Sequence, residues 1–154
     1  MGDQRIPLNH RIVVGVDGTA SSKAALGWAV QRAKLTDATV EAVIAWHYPT
    51  AFGGAPFGPI GSVMDTDFAG TAAGVLSEAI SDTVDPANPV KVSSAVREGI
   101  ASQILLDAAD GAEMLVVGSR GHGGFTEALL GSVSQVCVHH ARCPVVVVRG
   151  PKDQ

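Results

Sequence analysis

The sequence predicts an α/β fold, a single Rossmann-like domain built on a five-stranded parallel sheet in the order 3-2-1-4-5 with helices on both faces. Three observations carry that prediction. Short apolar runs alternate along the chain with longer segments of helical spacing, giving βαβαβαβαβ, the pattern of a parallel sheet covered on two sides. The length of 154 residues suits one domain with its own core. A hydrophobic content of 46% against 17% charged residues favours a globular chain over a disordered one. Right-handed crossovers restrict the layout, and the chain is expected to reverse direction between strands one and four.

The elements follow in order. "RIVVGVD", from Arg11 to Asp17, is a short apolar run closed by a polar turn, a buried strand. In "GTASSKAALGWAVQRAKLTD", Ala25, Ala29 and Ala33 recur at helical spacing beside Leu26 and Val30, with Thr19, Ser21 or Ser22 available as a cap. "ATVEAVIAWHY" reads as strand two. A second helix is expected from Val63 to Asp85, weakened by Gly70 and Gly74. "PVKVSSAVREG" alternates through Val90, Val92, Ser94 and Val96 as strand three. "IASQILLDAADG" places Ile100, Ile104, Leu105 and Ala108 on one stripe and stops at Gly111. "AEMLVVG" is strand four. Val133, Val136, Cys137 and His140 mark the last helix, and "CPVVVVRG" is strand five.

One domain is expected over residues 11–150, with short tails at 1–10 and 151–154. The Gly- and Pro-rich segment from Tyr48 to Ser62 is too long for an ordinary βα turn and is expected to be a flexible flap. No apolar run approaches the roughly 20 residues of a membrane span. The polar start "MGDQRIPLNH" lacks a signal-peptide core and the Ser/Thr of a myristoylation site. A net charge of −4 argues against non-specific binding to nucleic acid. Cys137 and Cys143 are expected to be buried thiols of a reducing, cytoplasmic compartment.

"GSRGHGGFTEALLGSVSQ" holds Gly118, Gly121, Gly123, Gly124 and Gly131. Ligands of open α/β sheets sit beyond the carboxyl ends of the strands at the switch point, here between strands one and four. Asp17 and Gly118 close those strands. Gly118 and Gly121 permit amides to approach a ligand and form an anion nest. "FTEALL" is expected to make one or two helical turns, after which Gly131-Ser132 opens the last helix, whose free N–H groups suit a phosphate. The Ser132 and Ser134 hydroxyls are expected to donate to that anion. Arg120 is the firm cation of the loop, with His122 adding charge when protonated. Gly118→Ala or Gly131→Ala should weaken anion binding and leave the fold intact.

Gly118, Gly121, Gly131 and Ser132 spell Gly-x-x-Gly-x9-Gly-Ser, which resembles the signature of the universal stress protein family. "VGVDGTASS", "REG" before the third helix and "CPVVVV" are similar to that family's pattern as well, so the resemblance spans about Arg11 to Arg149. It implies the ATP-binding branch, a sheet like that of the adenine nucleotide alpha hydrolases, and a nucleotide-dependent regulatory or stress-response module. On this resemblance Val16 and Ala45 line an adenine pocket, with Val43 or Trp46 as alternatives to Ala45. Asp17 meets the ribose or a bound Mg²⁺, Val117, Gly118, Arg120 and Gly121 wrap ribose and phosphates, and Gly131, Ser132, Val133 and Ser134 hold the phosphates. Asp17 also reads as a cap of the first helix.

The sequence lacks a GxxxxGK[ST] P-loop, a dinucleotide fingerprint after strand one, an SGG-x-D-S loop, HIGH-like and KMSKS-like motifs, and a G-x-S-x-G elbow. Any hydrolysis of bound ATP is therefore expected to be slow, and the chain is read as a binding module. His139 and His140 point about 100° apart on a helix and do not converge on one ion. His140 is expected in the core or an interface. Trp28 is read as packing, and Trp46 as core or adenine pocket. Strand five would lie at a sheet edge, where an apolar strand needs cover. Pairing with a second copy over residues 144–149 would supply it, and the resemblance implies the same homodimer.

Overall fold

The computed structural model describes residues 9–48, 67–87, 89–120 and 130–151. The expected tails apart from residues 9, 10 and 151, the segment 49–62, the start of the second expected helix at 63–66, Gly121, His122, Gly123, Gly124 and the turn expected at 125–129 lie outside these residues. Nine elements alternate: β1 (Asn9–Gly15), α1 (Ala20–Thr36), β2 (Thr39–Trp46), α2 (Phe68–Thr83), β3 (Val92–Glu98), α3 (Ala101–Ala109), β4 (Ala112–Gly118), α4 (Ser132–His140) and β5 (Val145–Val148). The five strands form one parallel sheet in the order β3-β2-β1-β4-β5. Most elements are a few residues shorter than their sequence patterns, because the flanking residues serve as caps and turns. The first strand keeps its expected length but lies two residues earlier, at Asn9–Gly15, so it takes in the end of the expected tail and leaves Asp17 in the turn beyond it.

Side-chain alternation sorts the sheet's two faces. Ile12, Val14, Val40, Ala42, Met114 and Val116 pack under α1 and α2, whereas Val13, Val43, Leu115 and Val117 pack under α3 and α4. Both faces of the central strands are thus buried, which explains their continuous apolar runs. In α1 the buried Ala25, Ala29 and Ala33 bring the helix axis close to the sheet. Thr19 caps its start by accepting from the Ser22 amide, and Asp37 ends it in a left-handed conformation at φ 57°. In α2 the Asp67 side chain caps the Gly70 amide, and Leu76 and Ala79 are buried. Arg11 stitches β1 to its neighbours, donating to Glu41 at 3.0 Å and to the Ala108 carbonyl at 2.7 Å.

Three expectations for peripheral residues are revised. His140 is exposed and so lies outside the core, one of its two expected places: it is the last residue of α4, and a helix C-terminus favours a basic side chain. Ser94 and Val96 of β3 are exposed, because β3 is an edge strand whose outer half lacks helix cover. Cys137 is fully buried as expected, and burial pushes its thiol up to about 11, but Cys143 is only partly buried. β5 is the opposite edge, and its four valines are all half-buried.

Candidate functional site

A cavity of about 470 Å³ opens at the carboxyl ends of β1, β2 and β4, on the face covered by α3 and α4. It lies where the chain reverses direction across the sheet, the position that strand polarity assigns to ligands. Of the expected site residues, Val16, Asp17, Ala45, Val117, Gly118, Arg120, Ser132, Val133 and Ser134 all line it. Gly121 lies outside the described residues. Gly131 is not a lining residue, although it caps α4 directly beneath Ser132.

Several of these residues act differently from expectation. Gly118 serves helix–sheet approach: a Cβ there would overlap the Ser21 hydroxyl and come within 2.8 Å of the Ser21 carbonyl carbon and 2.9 Å of the Ser22 amide nitrogen. Alanine at 118 therefore disturbs the fold, contrary to the expectation of a neutral replacement. The described loop amides are engaged within the chain. Ser119 N–H donates to the Val148 carbonyl at 2.8 Å, Arg120 N–H to the Ser21 hydroxyl at 3.3 Å, and Gly131 N–H to the Ser119 carbonyl at 2.8 Å. An anion nest is thus not offered by Ser119, Arg120 or Gly131. Gly131 has φ −64° and ψ 161°, extended angles open to any residue.

The helix mouth remains. Among the described residues, the first N–H groups of α4, those of Ser132, Val133 and Ser134, meet no backbone carbonyl, and all three residues line the cavity. No acidic side chain occupies that first turn, so the helix does not neutralise its own positive end. The Ser134 hydroxyl does not face a ligand: it is buried and gives its hydrogen to the Gly118 carbonyl at 2.5 Å. Ser132 is exposed, leaving its hydroxyl as the side-chain donor at the mouth. Arg120 adds a guanidinium to the same lining.

Asp17 stands across the cavity in the β1–α1 turn. Its Oδ1 accepts from both the Thr19 amide, at 3.0 Å, and the Thr19 hydroxyl, and its own amide donates to the Ser22 hydroxyl at 3.2 Å. The carboxylate therefore organises the turn before α1, while Thr19 is the cap itself. The cap expected of Asp17 is thus supplied by Thr19, while Asp17 braces the turn and borders the cavity.

Sequence reasoning missed the β2–β3 side of the cavity. His47 follows β2, and Gly99, Ile100, Ala101, Ser102 and Leu105 come from the β3–α3 corner. Gly99 adopts φ 144°, a conformation that favours glycine, and its N–H donates to the Trp46 carbonyl at 2.8 Å, closing the corner against β2. The signal available was positional, since Gly99 punctuates a strand end beside strand two. Trp46 points to the other face, where it meets Tyr48 edge-on at 5.3 Å, so it belongs to the packing and not to the cavity. Among the described residues no group of three or more His, Cys, Asp or Glu side chains is placed to hold a metal. No helix among them is long and apolar enough to cross a membrane.

Known proteins share this architecture. The solved universal stress protein UspA from Lactobacillus plantarum superposes with a TM-score of 0.74 at 23% identity, over 90% of this chain and 97% of its own. A universal stress protein solved in complex with cAMP matches at 26% identity and a TM-score of 0.57, over 90% of this chain and 95% of its own. One from Archaeoglobus fulgidus, solved in complex with dAMP, matches with a TM-score of 0.54 at 18% identity, over 90% of this chain and 96% of its own. A universal stress protein of Mycolicibacterium smegmatis is 34% identical over 151 residues, 92% of this chain and 48% of the relative. One of Mycobacterium tuberculosis is 32% identical over 148 residues, 96% of this chain and 51% of the relative. The chain spans about half the length of these curated relatives. The sequence profile of the universal stress protein family matches residues 9–149, and the chain belongs to that family.

Proposed function

We propose that the cavity binds an adenine nucleotide, ATP, and that the chain works as a nucleotide-dependent regulatory module of the stress response in the cytoplasm. The observation that carries this reading is the opening of α4's first turn into a cavity whose far wall is apolar. Phosphate oxygens match the unpaired N–H groups of Ser132, Val133 and Ser134 and the Arg120 guanidinium. Val16, Val43 and Ala45 offer an apolar surface for a base, and Asp17 stands between the two ends, where a ribose hydroxyl would meet it. The complexes of related proteins with cAMP and dAMP support adenine as the base.

These residues fit ATP. A single cavity-lining carboxylate, Asp17, fits Mg²⁺ only as an ion carried on the phosphates with most of its waters retained. When bound, such an ion would offset phosphate charge beside Asp17. The chain is read as a binding module because Oδ1 of Asp17 is already engaged by Thr19 and, among the described residues, no lining side chain pairs a base with a nucleophile. Two copies joining through residues 144–149 would cover the half-buried valines of β5.

The test is titration calorimetry with ATP, together with mass spectrometry of small molecules released from freshly purified protein. Micromolar binding or a co-purified adenine nucleotide is expected. Protein that carries none and stays unresponsive to millimolar ATP would refute the reading. Sedimentation should give a dimer, and a monomer at high concentration would remove the β5 pairing.

A further inference from the structure

His47 belongs to a part of the cavity wall that the helix mouth does not explain. It follows β2 on the strand face of Val43 and Ala45, and all three line the cavity. The lining residues contributed by β2 and the β3–α3 corner are otherwise apolar or backbone, apart from Ser102. His47 Nδ1 lies 3.1 Å from the Tyr48 carbonyl oxygen. A carbonyl has no hydrogen to give, so in the neutral ring Nδ1 carries the hydrogen and Nε2 keeps its lone pair. The backbone contact thereby favours the Nδ1–H tautomer, which leaves Nε2 as an acceptor on an exposed ring that lines the cavity.

Strand spacing places this acceptor. β1 separates β2 from β4, so the ends of β2 and β4 lie about 10 Å apart at roughly 4.8 Å per strand. That is the reach of a nucleoside. A ligand with phosphates at the α4 mouth, next to β4, and its sugar beside Asp17, after β1, extends its base over the end of β2. Resting on the adenine-nucleotide reading, we infer that His47 selects the base by accepting, at Nε2, a hydrogen bond from an exocyclic amino group. A base without that amine leaves the acceptor unmet.

The probe is a pair of ligands differing only in the amine, ATP and purine riboside triphosphate. Calorimetry is run on the wild-type chain, on His47→Ala and on His47→Phe, which keeps a planar ring without a lone pair. A single neutral hydrogen bond corresponds to a preference of about 3- to 10-fold for ATP in the wild type. Both variants should bind the two ligands within about 2-fold of each other. A role of His47 in folding alone would lower both affinities together and leave their ratio intact. Equal binding by the wild type overturns the inference while leaving nucleotide binding in place. So does a preference that persists in both variants, which would assign the reading to backbone carbonyls. Failure of the wild type to bind either ligand overturns this inference and the adenine-nucleotide reading together.

Discussion

The Ser134 hydroxyl donates to the Gly118 carbonyl at 2.5 Å, so the first turn of α4 is tied to the last residue of β4. Both groups are shielded from water, and the bond fixes the angle at which the helix mouth meets the cavity. Ser134→Ala leaves a buried carbonyl unmet and should cost about 1–3 kcal/mol of stability, measured by urea denaturation. Nucleotide affinity should fall as well, because the N–H groups of the turn lose their aim. A variant as stable as the wild type would show that the bond carries no weight.

Gly118→Ala should destabilise the chain by about 1–3 kcal/mol through overpacking, since two of the atoms that a Cβ meets are backbone atoms of α1 and cannot rotate away. Thermal unfolding in the absence of any ligand is the deciding measurement. An unchanged midpoint would return Gly118 to a purely ligand-facing role.

Arg120 is expected to act on charge alone. Its backbone N–H is held by Ser21, so truncating the side chain should leave the loop in place. Arg120→Ala should weaken ATP by about 10-fold and adenosine hardly at all, a contrast that calorimetry resolves. Raising the salt concentration should shrink the difference between wild type and variant. Equal losses for ATP and adenosine would contradict the assignment of Arg120 to the phosphates.

The pH dependence of stability carries the mark of Cys137. Desolvation by burial, helped by the nearby Cys143, raises its thiol from 9.0 to about 11. The folded state therefore holds this proton where the unfolded chain has released it. Stability from this group is fully present below about pH 9 and is lost as pH rises toward 11. Urea midpoints across that window should fall for the wild type, and less steeply for Cys137→Ala. Cys137 should also resist thiol reagents in the native state at neutral pH.

The sheet order was legible because alternation and crossover handedness leave few arrangements, and the apolar runs of the central strands match their burial on two faces. The helix mouth was legible too, since Gly131-Ser132 follows a glycine-rich loop at the switch point. Glycine 118 was harder: sequence shows that a side chain is missing, but not whether a ligand or a neighbouring helix fills the gap. Ser134 posed the same problem, because a hydroxyl near a phosphate site looks like a donor to ligand until its carbonyl partner is seen. His140 lay on an apolar stripe but at the last residue of its helix, and no spacing rule marks that end. The β3–α3 wall escaped because its residues, Ile100 and Ala101 among them, carry no chemistry of their own and matter only by position.

The bond from Gly131 N–H to the Ser119 carbonyl joins the two ends of the glycine-rich excursion at one point. Whatever is inserted between them departs and returns through the same gate, so lengthening or rewriting that stretch adds only a slowly growing closure penalty. Evolution, or a protein engineer, is thus free to change the length and sequence of that stretch without rebuilding the scaffold that carries it.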